Sequence, residues 1–153
     1  MRTRTGRGGT AAVELAICLP LLLIVLTGIW EVGRMVTAQQ LITNAAREAG
    51  RVAAAGQKDS TAVRQVAVDY LNMNGLTGVT LSDVVFANLT NPALDPTAAN
   101  QMDQLRVTIT VPCSTIRYST LAQITTTTTL TASADWYSMR DLPVNVSMTI
   151  PVN

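Results

Sequence analysis

Glu14 is the one side chain charged at neutral pH in an apolar run from Thr10 to Trp30, TAAVELAICLPLLLIVLTGIW. On insertion scales an acid at the centre of a membrane helix costs about 2.5–3.5 kcal/mol, so Glu14 needs either an interfacial position or a cation at its own depth. If the helix begins near Thr10, Glu14 lies only about 6 Å along it and can snorkel to the interface. Downstream the chain supplies no cation before Arg34. A cut between Gly9 and Thr10 would create one, an α-amine with a reference pKa of about 7.7–8. Gly9, Thr10 and Glu14 are therefore the candidate residues for processing and charge pairing.

The remaining reactive residue types offer little. With no histidine in the chain, a histidine-based triad is excluded, and a zinc site would need all-carboxylate ligation. Cys18 falls inside the apolar run and Cys113 far beyond it, so the two do not suggest a disulfide; Cys113, beside Pro112, reads as a small semi-buried residue. Asp83, Asp95, Asp103, Asp135 and Asp141 are scattered over loop and strand-edge positions, where acids are normally solvated, and form no paired-carboxylate site. Gly6, Gly8 and Ala11 satisfy G-x-G-x-x-A, but no strand precedes them and the dinucleotide-binding context is missing. The sequence thus predicts no catalytic residues, no metal and no cofactor.

The elements that must position Glu14 follow from hydropathy. The chain is 48% hydrophobic and only 14% charged, with a formal net charge of +1, which argues for a membrane segment and against nucleic acid as a partner. At about 1.5 Å per residue, Thr10–Trp30 spans roughly 31 Å, one crossing of a hydrocarbon layer about 30 Å thick. Arg2, Arg4 and Arg7 precede the run with no acid among them, so the positive-inside bias places the N-terminus in the cytoplasm. A cleaved secretory signal is the competing reading; the run is longer than an h-region, and Glu31, Val32, Gly33 and Arg34 lead straight into more helix. Pro20 removes one hydrogen bond from the apolar helix and reads as a kink that membrane helices tolerate. Gly28 and Gly33 are too far apart for G-x-x-x-G.

Two stretches carry a family resemblance. Gly9-Thr10-Ala11-Ala12-Val13-Glu14 resembles the processing site of type IV-like prepilins, in which a prepilin peptidase cuts after a glycine and a glutamate stands fifth in the mature chain. The continuation, ELAICLPLLLIVLTGIWEVGRMVTAQQLITNAAREAGRVAA, is similar to the TadE-like pseudopilins of tight-adherence (Tad, or Flp) pilus systems: a glutamate, an apolar helix with a proline, an acid-x-Gly-Arg turn, then Asn-Ala-Ala-Arg-Glu-x-x-Arg. The resemblance implies a leader removed after Gly9, a role for Glu14 in aligning the mature helix, and a role for Pro20 in helix bending. It also implies as partners the lipid bilayer, the prepilin peptidase and other pilins or pilus assembly proteins. Leu15 stands where major Flp pilins carry tyrosine, and the mature chain would be far longer than theirs, which points to a minor component.

Beyond Trp30 apolar residues recur every three or four positions, at Val32, Met35, Val36, Ile42, Ala45, Ala46, Ala49, Val52 and Ala53. They predict one helix from Ala11 to Ala55 ending before Gly56, with an alanine-rich stripe that could face either the chain's own sheet or a neighbour's helix. Arg47, Arg51 and Glu48 read as a solvated, modestly paired face. A second helix is signalled by Asp59 or Ser60 as N-cap, by Val63, Val66, Ala67, Tyr70 and Leu71, and by Asn74-Gly75. Strands are predicted at Val79–Phe86, Leu105–Val111, Thr125–Ala134 and Val144–Ile150, with a loop over Asn88–Met102. Trp136 and Tyr137 read as core or as an exposed contact patch.

The expected plan is α+β: a basic leader at 1–9, a transmembrane helix at 10–30, its amphipathic extension at 31–56, and an exported domain at 57–153 with a small, mostly antiparallel sheet. Two functions remain open. One is a pseudopilin-like assembly component of the bacterial inner membrane, N-terminus inside. The other is an unprocessed, signal-anchored exported binding domain in which Glu14 is merely interfacial.

Overall fold

A computed structural model of the chain describes residues 7–116 and 129–140. Helix α1, Arg7–Ala54, runs unbroken for 48 residues, about 72 Å, with Pro20 inside it. Its two halves meet different surroundings. From Gly9 to Trp30 every side chain is exposed, whereas Ala38, Ile42, Ala45, Ala46, Ala49 and Ala53 are buried. The helix starts before the expected Ala11 and takes in Gly9 and Thr10. At its other end Gly56, at φ +68, turns the chain in a conformation that favours glycine.

The buried stripe begins later than its sequence pattern suggests. Val32 and Val36 are 55% and 53% exposed. At about 100° per residue they lie about 120° and 160° round the helix from Ala38, so they face away from the domain.

Helix α2, Ser60–Met73, is capped by Asp59, whose Oδ1 accepts from the Ala62 N–H at 2.7 Å. Asn74 and then Gly75, at φ +81, end it. It lies beside α1 and buries Val63, Ala67, Val68 and Leu71.

Among the described residues three antiparallel strands form a sheet, in the order β1 (Val84–Asn88), β2 (Gln104–Pro112), β3 (Thr129–Tyr137). The register pairs Phe86 with Val107, and Val107 with Ala134. In β2 the predicted alternation holds: Leu105, Val107, Ile109 and Val111 are buried, while Arg106, Thr108 and Thr110 face outward. At about 1.5–3 kcal/mol for each such side chain fully buried, this strand is the centre of the core. Helix α1 covers β3 and β2 from one side and α2 covers β1, giving a two-layer α+β arrangement. The alanine stripe therefore packs on the chain's own sheet and on α2.

The first strand is displaced from its predicted place. Residues 79–83 form a turn and a short 3-10 helix instead, because Asp83 accepts from the Thr80 N–H and hydroxyl, both at 2.8 Å, and closes the chain on itself. Val79 is buried without being in a strand. Strand β3 runs three residues past the predicted Ala134. The predicted strand Val144–Ile150, residues 125–128 and Asp141 lie outside the described residues. The loop after β1 has one short 3-10 turn, Pro96–Ala98, capped by Asp95.

Two features of the sheet yield tests. Gly50 of α1 lies directly under the Trp136 indole, so that a Cβ there would overlap Cδ1 and Nε1 of the ring. Gly50→Val should destabilise the domain by about 1–3 kcal/mol, read as a lower midpoint of thermal unfolding with a changed indole fluorescence. Arg106 and Asp135 form a bidentate pair across β2 and β3, both contacts 2.6 Å. With side chains 42% and 36% exposed, the pair is screened and contributes little at neutral pH. The Arg106 guanidinium holds the Asp135 carboxyl below its ordinary value of 3.8. Its contribution is therefore complete above that value and lost as pH falls through the lower folded one. Thermal midpoints taken down to strongly acid pH should fall by slightly less in Asp135→Asn than in the unaltered chain.

Candidate processing and assembly site

The four residues singled out from sequence all lie on α1, on its exposed half. Thr10 and Glu14 are one turn apart on the same face, and since helical side chains lean toward the N-terminus, that spacing puts the Glu14 carboxylate within reach of the Thr10 turn. A helix that began at Thr10 would place Glu14 near its positive end, where both the macrodipole and a new amine favour an acid. Gly9 is in the open, with nothing within 4 Å of where a Cβ would stand. The Gly9–Thr10 bond itself is helical here, and any cleavage there would need that turn opened. Gly8 and Gly9 make opening cheap, at about 1 kcal/mol of helix propensity lost per glycine relative to alanine. Pro20 leaves the Ala16 carbonyl without its helical donor, yet the helix continues through it.

A second constellation, not singled out from sequence, stands where α1 meets the domain. Glu31, 7% exposed, lies within about 20° of Ala38 round the helix, on the side that faces the domain. Arg34 Nη2 donates to the Ile116 carbonyl at 3.0 Å, closing the short helix α3, Cys113–Ile116, against α1. Five residues on, Gln39 Nε2 donates to the Thr131 carbonyl of β3, also at 3.0 Å. At the far end the Met139 N–H donates to the Ala54 carbonyl at 2.9 Å, and Arg140 lies across Gly56. The sheet is thus bonded to the helix near both ends. The only sequence signal for these contacts was the presence of polar residues on the face of α1 that turns toward the sheet.

The other candidates are placed as follows. Cys113 is fully buried rather than semi-buried, and Cys18 is exposed on α1. Asp103 is not solvated: it is 7% exposed and accepts from Asn88 Nδ2 at 3.0 Å and from the Asn100 N–H at 2.9 Å, which ties the long loop to the end of β1. Trp136 is half-buried on α1 and Tyr137 is exposed, so the pair divides between the two readings. Among the described residues no three His, Cys, Asp or Glu side chains group to hold a metal ion.

The geometry defines a protein with one N-terminal helix long and apolar enough to cross a membrane, which then serves as the spine of an α+β domain. Residues 9–51 match the family model described as TadE-like protein. The match opens on Gly9, includes Glu14, Pro20, Glu31 and Arg34, and stops one turn before the end of α1, so it is this helix that is similar to TadE-like proteins. The sheet lies outside it. No curated protein and no solved structure matches the chain. The family and the apolar helix together fit a pilus-associated, membrane-anchored protein.

The Arg34 contact is open to a direct test. A hydrogen bond from a charged group contributes about 1.5–3 kcal/mol, on the order of a tenfold change or more in local opening. Arg34→Leu should speed amide exchange at Cys113–Ile116 by that order and leave the amides of β1 unchanged, as read by hydrogen exchange on the full chain in micelles.

Proposed function

We propose that this chain is a pseudopilin-like assembly component of a Tad/Flp-type pilus machine, with a structural rather than a catalytic role. A prepilin peptidase removes residues 1–9, the mature chain crosses the inner membrane once with its N-terminus in the cytoplasm, and the α+β domain is held outside. Glu14 aligns the mature helix by pairing with an N-terminal amine, its own or a neighbour's. The partners on this reading are the bilayer, the peptidase and other pilins or pseudopilins. The observation that carries it is the family match, which begins at Gly9 and runs along α1.

One observation favours a second reading, the unprocessed anchor: the Gly9–Thr10 bond lies within α1. The two readings part on one measurement. In cells that contain the peptidase, N-terminal sequencing of the membrane-extracted protein should return Thr10 as the first residue. Persistence of the intact chain there would overturn processing. Glu14→Ala should keep membrane insertion and lose pilus assembly; unimpaired assembly would leave Glu14 as an interfacial residue only.

A further inference from the structure

The outward surface of α1 stays compatible with lipid well beyond Trp30. Following the exposed side chains along the helix, Leu15 to Ile29 are apolar save Thr27, whose hydroxyl donates back to the Leu23 carbonyl at 2.7 Å. Trp30 is 71% exposed, and after it come Val32, Gly33, Val36 and Thr37, the last bonded back to the Gly33 carbonyl at 3.0 Å. The two ionisable residues in this stretch do not interrupt it. Glu31 is buried on the domain side, and Arg34 is turned to Ile116. The first outward residue with an uncommitted polar character is Gln40, followed by Asn44 and Arg47.

The lengths agree with this boundary. From Glu14 to Arg34 the helix rises about 30 Å, the thickness of the hydrocarbon layer, and from Leu15 to Val36 about 32 Å. A span ending at Trp30 would leave Val32 and Val36 in water, both more than half exposed, on a helix face with none of the described residues of the domain over it. The surface that continues them toward the N-terminus is the lipid-facing surface itself. Arg34 also fixes the level of α3 by its bond to Ile116, and α3 presents Ser114 and Thr115 outward.

We infer that the lipid-covered part of α1 runs to Val36, not to Trp30, and that α3 of the domain sits in the outer headgroup layer. The domain is then seated on the membrane rather than raised above it. This rests on the anchoring reading above. In it, Trp30 lies about 9 Å inside the boundary, and the long side chain of Arg34, bonded to the Ile116 carbonyl, reaches the headgroup layer.

The test uses the full chain in phosphatidylethanolamine–phosphatidylglycerol vesicles with Cys18→Ser; Cys113 is buried and stays. Nitroxides are placed singly at Leu22→Cys, Val32→Cys, Val36→Cys and Gln40→Cys. Accessibility to oxygen, which concentrates in lipid, is compared with accessibility to a water-soluble nickel chelate. The expected result is that positions 32 and 36 behave as position 22 does, with a severalfold loss of chelate access relative to position 40. Chelate access at 32 and 36 equal to that at 40 overturns the inference, and so does shielding of both from oxygen and chelate alike, since a protein surface would then cover them. Chelate access at position 22 would overturn the anchoring reading as well.

Discussion

Everything in this molecule hangs on one helix that has to satisfy two kinds of surroundings. In its first half α1 makes no contact with the domain, and its side chains are large and aliphatic, as a lipid-facing surface requires. In its second half the buried positions are nearly all alanine, and they join one core with residues of β3, α2 and β2. Small side chains let the helix axis approach the sheet closely, and Gly50 is the extreme case, where the Trp136 ring takes the volume a side chain would occupy. An isolated helix of this length could bend or fray. Here the second half is held by the core and the first needs none.

That division explains why polar contacts between helix and sheet are few and placed near the ends. From Ile42 to Ala53 the buried positions of α1 carry no polar side chain, so Arg34 and Gln39 act below them and the Ala54 carbonyl above. Each of the three uses a backbone group of the sheet or of its flanking turns, groups that would otherwise cost free energy if buried unpaired. These three bonds therefore also satisfy backbone groups at the ends of β2–α3 and β3.

Much of this plan was legible because hydropathy has a period. The 3.6-residue repeat of α1, the cap at Asp59, the stop at Gly56 and the strict alternation of Leu105 to Val111 each appear in the structure within a residue or so of where the pattern put them. The strand expected at Val79 failed for a local reason, since a Thr80–Asp83 box competes with extension and apolar content cannot reveal it. Asp103 looked solvated because its partners, Asn88 and Asn100, are set by the path of a loop. Val32 and Val36 were counted into the core stripe because they are apolar at helical spacing; only the sheet, by choosing one side of α1, shows that they lie on the other. The candidate site was legible in its residue types and spacing, Gly9, Thr10 and Glu14, while the helical state of the Gly9–Thr10 bond was not, because glycines argue against helix there.

Two of the three acids of α1, Glu14 and Glu31, then become intelligible together. Glu14 is exposed in a stretch with no domain over it, so nothing within the described chain removes it from an apolar surrounding. Its carboxylate has to be matched at the N-terminal end of the helix, by water and headgroups or by the amine that processing would supply. Glu31 meets the same difficulty at the opposite end and is relieved differently, by being turned under the domain and away from the outward face. One acid depends on where the chain begins and the other on where the sheet sits. A helix carrying both is thereby given a direction and a depth, since sliding it by one turn either way would carry one of them further into the hydrocarbon layer or lift Val32 and Val36 out of it.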